Sequence, residues 1–241
     1  VSPFSQLIER YSNILVPPPP VVAGVVCEVC RRDSKGWTRC WQCNKHYEAA
    51  NSELADLVVP ISIAVKDQQL AYVLAKYKYS RFQAVRTRFT NELLSVLANF
   101  LGRHGECLGP FELVTVVPST RERTNAHPLV DLLGRRLGFT RGRFAEVLST
   151  TEQNTRQLRP DACTVHSDVA DKNVLLVDDT WTSGASLQSC AVALKRAGAK
   201  RVVGLVIGRH LDPTDEHTTQ YLDLVRSRPF DWNSCCACFV G

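Results

Sequence analysis

The 241-residue sequence contains no methionine, no Gly-Lys dipeptide and no G-x-G-x-x-G, and no stretch of it approaches the run of about 18 apolar residues that crosses a bilayer. The missing methionine excludes nothing by itself. Without Gly-Lys there is no G-x-x-x-x-G-K-[ST] phosphate loop, which sets aside the P-loop NTPases, and without G-x-G-x-x-G the dinucleotide fingerprint is lacking. A basic-then-apolar signal segment is absent from the first residues, so the expectation is a cytoplasmic protein. Beyond Pro17 to Pro20 there is no low-complexity stretch, and no internal repeat. What is present is ordinary for a globular chain: 44% hydrophobic and 22% charged residues, enough for one full core and a small satellite module. The net charge of +5 suits polyanionic small molecules and permits nucleic acid.

The most informative run is Val174 to Ser186, VLLVDDTWTSGAS. Its four apolar residues follow the polar Asp171-Lys172-Asn173 and read as a buried parallel strand, and Leu187 to Ala197 carry a helical pattern. The acids and hydroxyls between them therefore fall on a strand-to-helix turn. Backbone N–H groups converge at such a turn, where they and the helix dipole hold a phosphate. Thr180, Thr182, Ser183 and Ser186 add hydroxyl donors, Gly184 and Ala185 leave the main chain accessible, and Asp178 and Asp179 can only accept, which suits the vicinal hydroxyls of a ribose. Amides for a phosphate beside carboxylates for a sugar suggest 5-phosphoribosyl-1-pyrophosphate as the ligand. Capping of the helix by two acids is the plain alternative.

Ten cysteines in a chain expected in the cytoplasm point to metal before disulfides. Cys27-Glu-Val-Cys30 and Cys40-Trp-Gln-Cys43 form two C-x-x-C pairs separated by nine residues, a spacing for one tetrahedral structural Zn2+. The residues between them, polar with one Gly and one Trp, cannot fold by packing alone. His46 is a spare ligand candidate. His104-Gly-Glu-Cys107 and Cys163-Thr-Val-His166 have ligand spacing as well, but each pair stands by itself and reads as structural or surface. Cys235-Cys236-Ala237-Cys238 contains a third C-x-x-C. This tail has three open readings: a second metal site with His46 or His217, a share in the first site, or a labile disulfide.

The order of strand, acidic pair, hydroxyl loop and helix resembles the signature of type I phosphoribosyltransferases. A zinc module ahead of it makes the chain similar, over roughly Cys27 to Ile207, to the ComF-type family associated with DNA uptake and processing. Within that resemblance Lys76-Tyr77 corresponds to a Lys-Tyr dipeptide of the family, and Leu113 to Pro118 is a second buried strand followed by the pyrophosphate loop at Ser119, Thr120 and Arg121. The family's Arg-Gly-Phe-Asn stands here as Arg123-Thr124-Asn125, a departure on the acceptor side of the loop.

The resemblance implies displacement of pyrophosphate from C1 of the donor by a nitrogen nucleophile, with inversion and with Mg2+. Asp178 and Asp179 would orient the ribose and meet hydrated Mg2+, Thr180 to Ser186 would hold the 5-phosphate, and Ser119 to Arg121, with Lys76, the pyrophosphate. Arg121 joins the two acids as a catalytic candidate. Arg156 and Gln157 would belong to a hood within Thr150 to Ala162. Members that salvage 6-oxopurines carry an acid where Thr182 stands, which disfavours that acceptor class. Two other functions stay open: a sensor that binds the donor without turnover, suggested by Trp181 and the altered loop, and a DNA-processing accessory whose Trp37, Arg39 and Trp41 hold single-stranded DNA. A second copy of the chain is a further candidate partner.

Four regions are expected. Residues 1–24 hold an amphipathic start, Phe4 to Leu15, and a Pro-rich spacer; 25–50 hold the zinc module; 51–226 the phosphoribosyltransferase domain; 227–241 a Cys-containing tail. Strands are expected at Leu57 to Val65, Leu113 to Val117, Ala145 to Leu148, Val174 to Val177 and Arg201 to Ile207. Helices are expected at Asp67 to Tyr79, Ala84 to Leu101, Pro128 to Leu137, Leu187 to Ala197 and Glu216 to Arg226. Lys76, Lys78, Arg81, Arg86 and Arg88 form a basic segment, either a solvated face or a phosphate contact. The alternation predicts an α/β fold: a type I phosphoribosyltransferase-like parallel sheet with flanking helices, plus a small N-terminal zinc-binding module.

Overall fold

The computed structural model describes residues 3–50, 53–119, 127–151 and 156–238, with the main chain alone for residues 3–5. The chain is an α/β protein. Its described elements are helices α1 (Pro3–Ser12), α2 (Trp41–Ala50), α3 (Gln69–Tyr79), α4 (Gln83–His104), α5 (Pro128–Asp131), α6 (Gly138–Arg141), α7 (Ala185–Arg196) and α8 (Thr219–Arg226), and strands β1 (Leu57–Val65), β2 (Leu113–Val116), β3 (Leu148–Thr150), β4 (Cys163–Val165), β5 (Asn173–Trp181) and β6 (Arg201–Leu211). The main sheet has the order β1-β6-β5-β2. Its centre is made of Val, Leu and Ile, which fit a pleated surface buried on both faces. Among the described residues no helix is long and apolar enough to cross a membrane.

Two compact units are present: Val1–Cys40, Pro60–Leu108 and Ile207–Gly241 form one, Trp41–Val59 and Gly109–Val206 the other. In the first, the Tyr11 hydroxyl of α1 donates to Glu92 of α4 at 2.6 Å, and Arg88 meets the same carboxylate at 2.9 Å. Burial, with the Glu92 charge, pushes the Tyr11 phenol far above its ordinary range. Val25, Val26, Ile63, Leu211, Tyr221 and Val225 make a shared apolar cluster that seats the N-terminal turns. The residues ahead of these turns are tied to β1, where the Ile63 N–H donates to the Val16 carbonyl at 2.8 Å.

In the second unit β2 and β5 run parallel with Leu113 opposite Val174 and Val116 opposite Val177. Next to them β3 and β4 form an antiparallel two-stranded ladder, Leu148 to Val165 and Thr150 to Cys163. α7 is buried along most of its length, and two polar side chains on it fix neighbouring loops: Gln188 accepts from the Ala55 N–H at 2.9 Å and Ser189 from the Arg159 N–H at 2.7 Å.

Several expectations shift at their edges. The strand expected at Ala145 to Leu148 begins at Leu148, because Phe144 is spent in a bridge to Val114 and Leu148 is the first residue that finds a partner in Val165. The helix expected over Pro128 to Leu137 is α5 followed by a π-helical turn at Leu132–Arg136, which places Gly134 against the ring of Phe144. The second C-x-x-C pair opens a helix: Cys40 precedes α2 and Cys43 lies in its first turn.

Candidate functional site

The strand expected to stop at Val177 continues through Trp181, so Asp178 and Asp179 are the last part of β5 rather than the start of a loop. Thr180 and Trp181 are good strand formers, and exposure alternates along them. Asp179 and Trp181 are buried, Asp178 and Thr180 half-buried. Adjacent strand residues point to opposite faces, so the two carboxylates leave the sheet on different sides. The Asp179 N–H donates to the Asp178 carboxylate at 2.8 Å, which folds that group back over the strand end.

The connection to α7 is then only Thr182 to Gly184. Gly184 sits in the left-handed region with φ of 82° and precedes the first helical residue. A β-carbon there would collide with the Trp181 ring. What occupies the space over Gly184 is therefore the buried indole. The Ser183 hydroxyl accepts from the Ala185 N–H at 3.3 Å, and the first helical bond runs from Gln188 N–H to the Gly184 carbonyl at 2.9 Å. The N–H groups of Ser186 and Leu187 precede that ladder, at the positive end of a twelve-residue helix.

Register brings a second strand end to this loop. The Val117 N–H donates to the Val177 carbonyl at 3.0 Å, the last bond before β2 and β5 separate, so Ser119 and Asp178 follow from adjacent strands at the same carboxyl edge. In open α/β sheets ligands bind at such an edge. Ser119 is exposed there. Thr120, Arg121, Arg123, Thr124 and Asn125 lie outside the described residues, so of the loop expected to hold pyrophosphate only Ser119 is described.

Behind the loop the Cys190 thiol of α7 is 3.1 Å from that of Cys163 in β4. This hydrogen bond, then burial and the negative Asp178, hold Cys190 well above the usual thiol range. A neutral thiol next to the acid is a feature that sequence spacing, 27 residues apart, gave no means to foresee. The Arg156 carbonyl accepts from Gln42 of α2 at 2.9 Å, and Arg159 reaches the Gln157 amide at 3.4 Å. Both belong to the excursion between β3 and β4, the segment expected to act as a hood. Lys76 stands in the other unit, exposed on α3 with its ammonium 5.8 Å from the Tyr72 ring centroid, while Tyr77 is fully buried.

Cys27, Cys30, Cys40 and Cys43 come together as expected, all buried, with their sulfurs within 4.8 Å of one another. The Cys30 and Cys40 sulfurs are 3.7 Å apart. A zinc–sulfur bond of about 2.3 Å gives a tetrahedral edge of about 3.8 Å, so the donors fit zinc. The first pair is presented by a turn in which Cys27 N–H donates to Arg32, Arg31 N–H to Cys27, and Arg31 takes a φ of 62°. His46 is buried but pairs with Gln42 at 3.0 Å and is outside the four. Around this segment Trp37 is 73% and Trp41 68% exposed. Arg39 is held by Glu28 at 2.7 Å, and Lys45 lies over the Trp41 ring at 3.9 Å.

Residues 124–235 match the phosphoribosyl transferase domain family. That span is slightly under half of the chain and contains the whole run from Val174 to Ser186. The matched span carries β5 and β6 of the main sheet and the flanking helix α7. Among solved structures the chain is similar to a purine phosphoribosyltransferase from Pyrococcus horikoshii Ot3, with 18% identity over 53% of this chain and 92% of that one and a TM-score of 0.32. Comparison with curated proteins finds no match.

Proposed function

We propose that this protein binds 5-phosphoribosyl-1-pyrophosphate at the carboxyl edge of β2 and β5 and transfers the phosphoribosyl group to a nitrogen nucleophile, releasing pyrophosphate. The observation that carries this reading is the register of those two strands, which brings Ser119 to the same carboxyl edge as the Asp178 to Ser186 segment, the latter lying within the matched span. In this reading the Ser186 and Leu187 amides and the Ser183 hydroxyl hold the 5-phosphate, since the helix N-terminus favours an anion there. The half-buried Asp178 carboxylate faces the ribose hydroxyls, with the buried Asp179 fixing the strand end. Ser119, Thr120 and Arg121 receive the pyrophosphate.

Mg2+ fits a site of this composition, because it keeps several waters and takes one or two carboxylates together with substrate phosphates. Asp178 is the residue that would hold it, since the buried Asp179 leaves the sheet on the other side, and the ion would supply charge neutralisation of the pyrophosphate. The chain's own residues position donor and acceptor in line and stabilise charge; the chemistry asks for little else. Thr182 at the position where 6-oxopurine enzymes carry an acid argues for another acceptor class. The test is release of pyrophosphate from the donor with Mg2+ across a panel of purine, pyrimidine and simple amine acceptors. Turnover with one of them supports transfer. Tight donor binding with no turnover on any acceptor would instead leave a sensor.

A second reading is favoured by the two exposed indoles. Trp37 and Trp41 flank the cysteine cluster and offer stacking surfaces for single-stranded DNA, as in an accessory of the ComF type. Binding of an oligonucleotide that falls steeply with salt and weakens in Trp37→Ala or Trp41→Ala would support it. Undetectable binding at low salt removes it.

A further inference from the structure

Four residues that sequence spacing leaves as two unrelated pairs meet in the first unit. His104 ends α4, Cys107 follows it by three, and Cys235 and Cys238 come from the C-terminal tail; the four ligand atoms lie within 4.8 Å of one another. We propose that they form a second zinc site, of three thiolates and one imidazole, which fastens the tail to the end of α4.

The histidine decides the chemistry. Its Nε2 is 2.9 Å from the Trp232 carbonyl, and a carbonyl can only accept, so Nε2 carries the proton and Nδ1 keeps its lone pair. Nδ1 points at the Cys238 sulfur at 3.4 Å and the Cys107 sulfur at 3.7 Å. Tetrahedral zinc with bonds of about 2.05 Å to nitrogen and about 2.3 Å to sulfur sets these ligands about 3.6 Å apart. A ligand histidine whose other nitrogen donates to a carbonyl is the usual arrangement around zinc, since that bond fixes tautomer and ring orientation.

The sulfurs are closer to one another, Cys107 to Cys238 at 3.2 Å and Cys235 to Cys238 at 3.1 Å. These lie between a disulfide bond of about 2.0 Å and a tetrahedral edge of about 3.8 Å. A disulfide joins two sulfurs and leaves the oriented imidazole and the third thiol without a role. Zinc uses all four, displacing the three thiol protons.

The surroundings hold the tail in place independently of the metal. The Trp232 indole is mostly buried and donates to Ser12 at 2.8 Å, and Arg103 donates to Asn233 at 2.7 Å. The buried Arg31, next to Cys30 of the first cluster, donates to the Cys236 carbonyl at 3.3 Å, within the Cys235 to Cys238 turn. Three thiolates and Zn2+ leave one negative charge, and Arg31 places a fixed positive charge beside it. Cys238 is exposed, so the site lies at the surface and is accessible to metal.

The test uses the full chain, purified with zinc and kept reduced. Native mass spectrometry should show two zinc ions per chain, and Cys235→Ser/Cys238→Ser should retain one. X-ray absorption at the zinc edge of the unaltered protein decides even where the variant does not fold: a mean first shell of about 3.5 sulfurs and 0.5 nitrogen per zinc is expected, against four sulfurs for the first cluster alone. A folded chain with one zinc in an all-sulfur shell, or loss of two hydrogens in mass from a disulfide at Cys235 and Cys238 in the reduced preparation, overturns the proposal.

Discussion

The cysteine segment from Cys27 to Cys43 and the loop from Asp178 to Ser186 reach definite geometry by opposite routes. In the first, left-handed turns at Arg31, Lys35 and Gly36 bring four buried thiols together, on a chain entered through the buried Val25 and Val26. In the second, a strand with Val174 to Val177 fully buried aims the functional groups, and Trp181 packs under Gly184 to close the turn. With zinc in the four-thiol site as proposed, one region depends on a ligand to be a structure. The other is built before its ligand arrives.

The comparison breaks most sharply on metal removal. Chelation, or Cys27→Ser, should unfold the turns around residues 24–43 while the β2–β5 pair persists, because structural zinc contributes about 10–16 kcal/mol of apparent binding free energy that is locally folding free energy. Hydrogen exchange resolved by peptide checks this, with protection lost in the cysteine segment and kept across Val174 to Val177. Equal loss in both would show that the two regions are not built differently.

The next largest effect belongs to Gly184→Val. The side chain would require both the left-handed conformation and displacement of the Trp181 ring, at a combined cost of about 3 kcal/mol or more. Thermal unfolding should register the loss, and donor binding should disappear with it. Gly184→Ala should lose stability as well, since even a methyl group meets the Trp181 ring and the left-handed conformation. A Gly184→Ala protein as stable as the parent would contradict this account of the turn.

Asp178→Asn should be milder for the fold and specific for the ligand. It retains the acceptor for the Asp179 N–H but removes the charge, so donor affinity measured with Mg2+ should fall about ten-fold, equivalent to about 1.4 kcal/mol, while thermal stability changes little.

The smallest effect concerns pH. Burial, then Arg209, holds His210 below its ordinary value, and burial, then Arg32, does the same for His217, whose Nδ1 is 3.8 Å from Asp33. The folded state therefore binds fewer protons than the unfolded one near and below pH of about 6.5, so stability present above that pH is lost as pH falls through it. Melting temperatures between about pH 7.5 and 5.5 should decline, and less so in His217→Gln. A flat profile would contradict the assignment.

How far the sequence reached differs between the same two regions. The C-x-x-C spacing was enough to name all four sulfurs, because ligand sets local in sequence are fixed by short turns. Strand β1 agrees with its expected limits, and β5 was legible as a buried run, since uninterrupted Val and Leu admit few alternatives. The end of β5 was not: acids and a hydroxyl read as loop, and only the alternating burial of Asp179 and Trp181 shows that the strand goes on. Gly184 was read as letting the main chain approach an anion, and residue spacing gave no sign that a side chain there would also meet the Trp181 indole. Pairings across long separations, Cys163 with Cys190 and His104 with Cys238, depend on how the sheet and helices pack, which residue spacing does not carry.

The central claim is that a phospho-sugar site lies at the β5–α7 turn. Calorimetric titration of ribose 5-phosphate into the folded protein and into Ser183→Ala tests it most directly. The account predicts measurable binding to the parent and a loss of about ten-fold or more in the variant, the amount expected when a hydrogen bond to a charged phosphate is removed. Equal affinity in the two proteins would place the phosphate elsewhere and contradict the assignment.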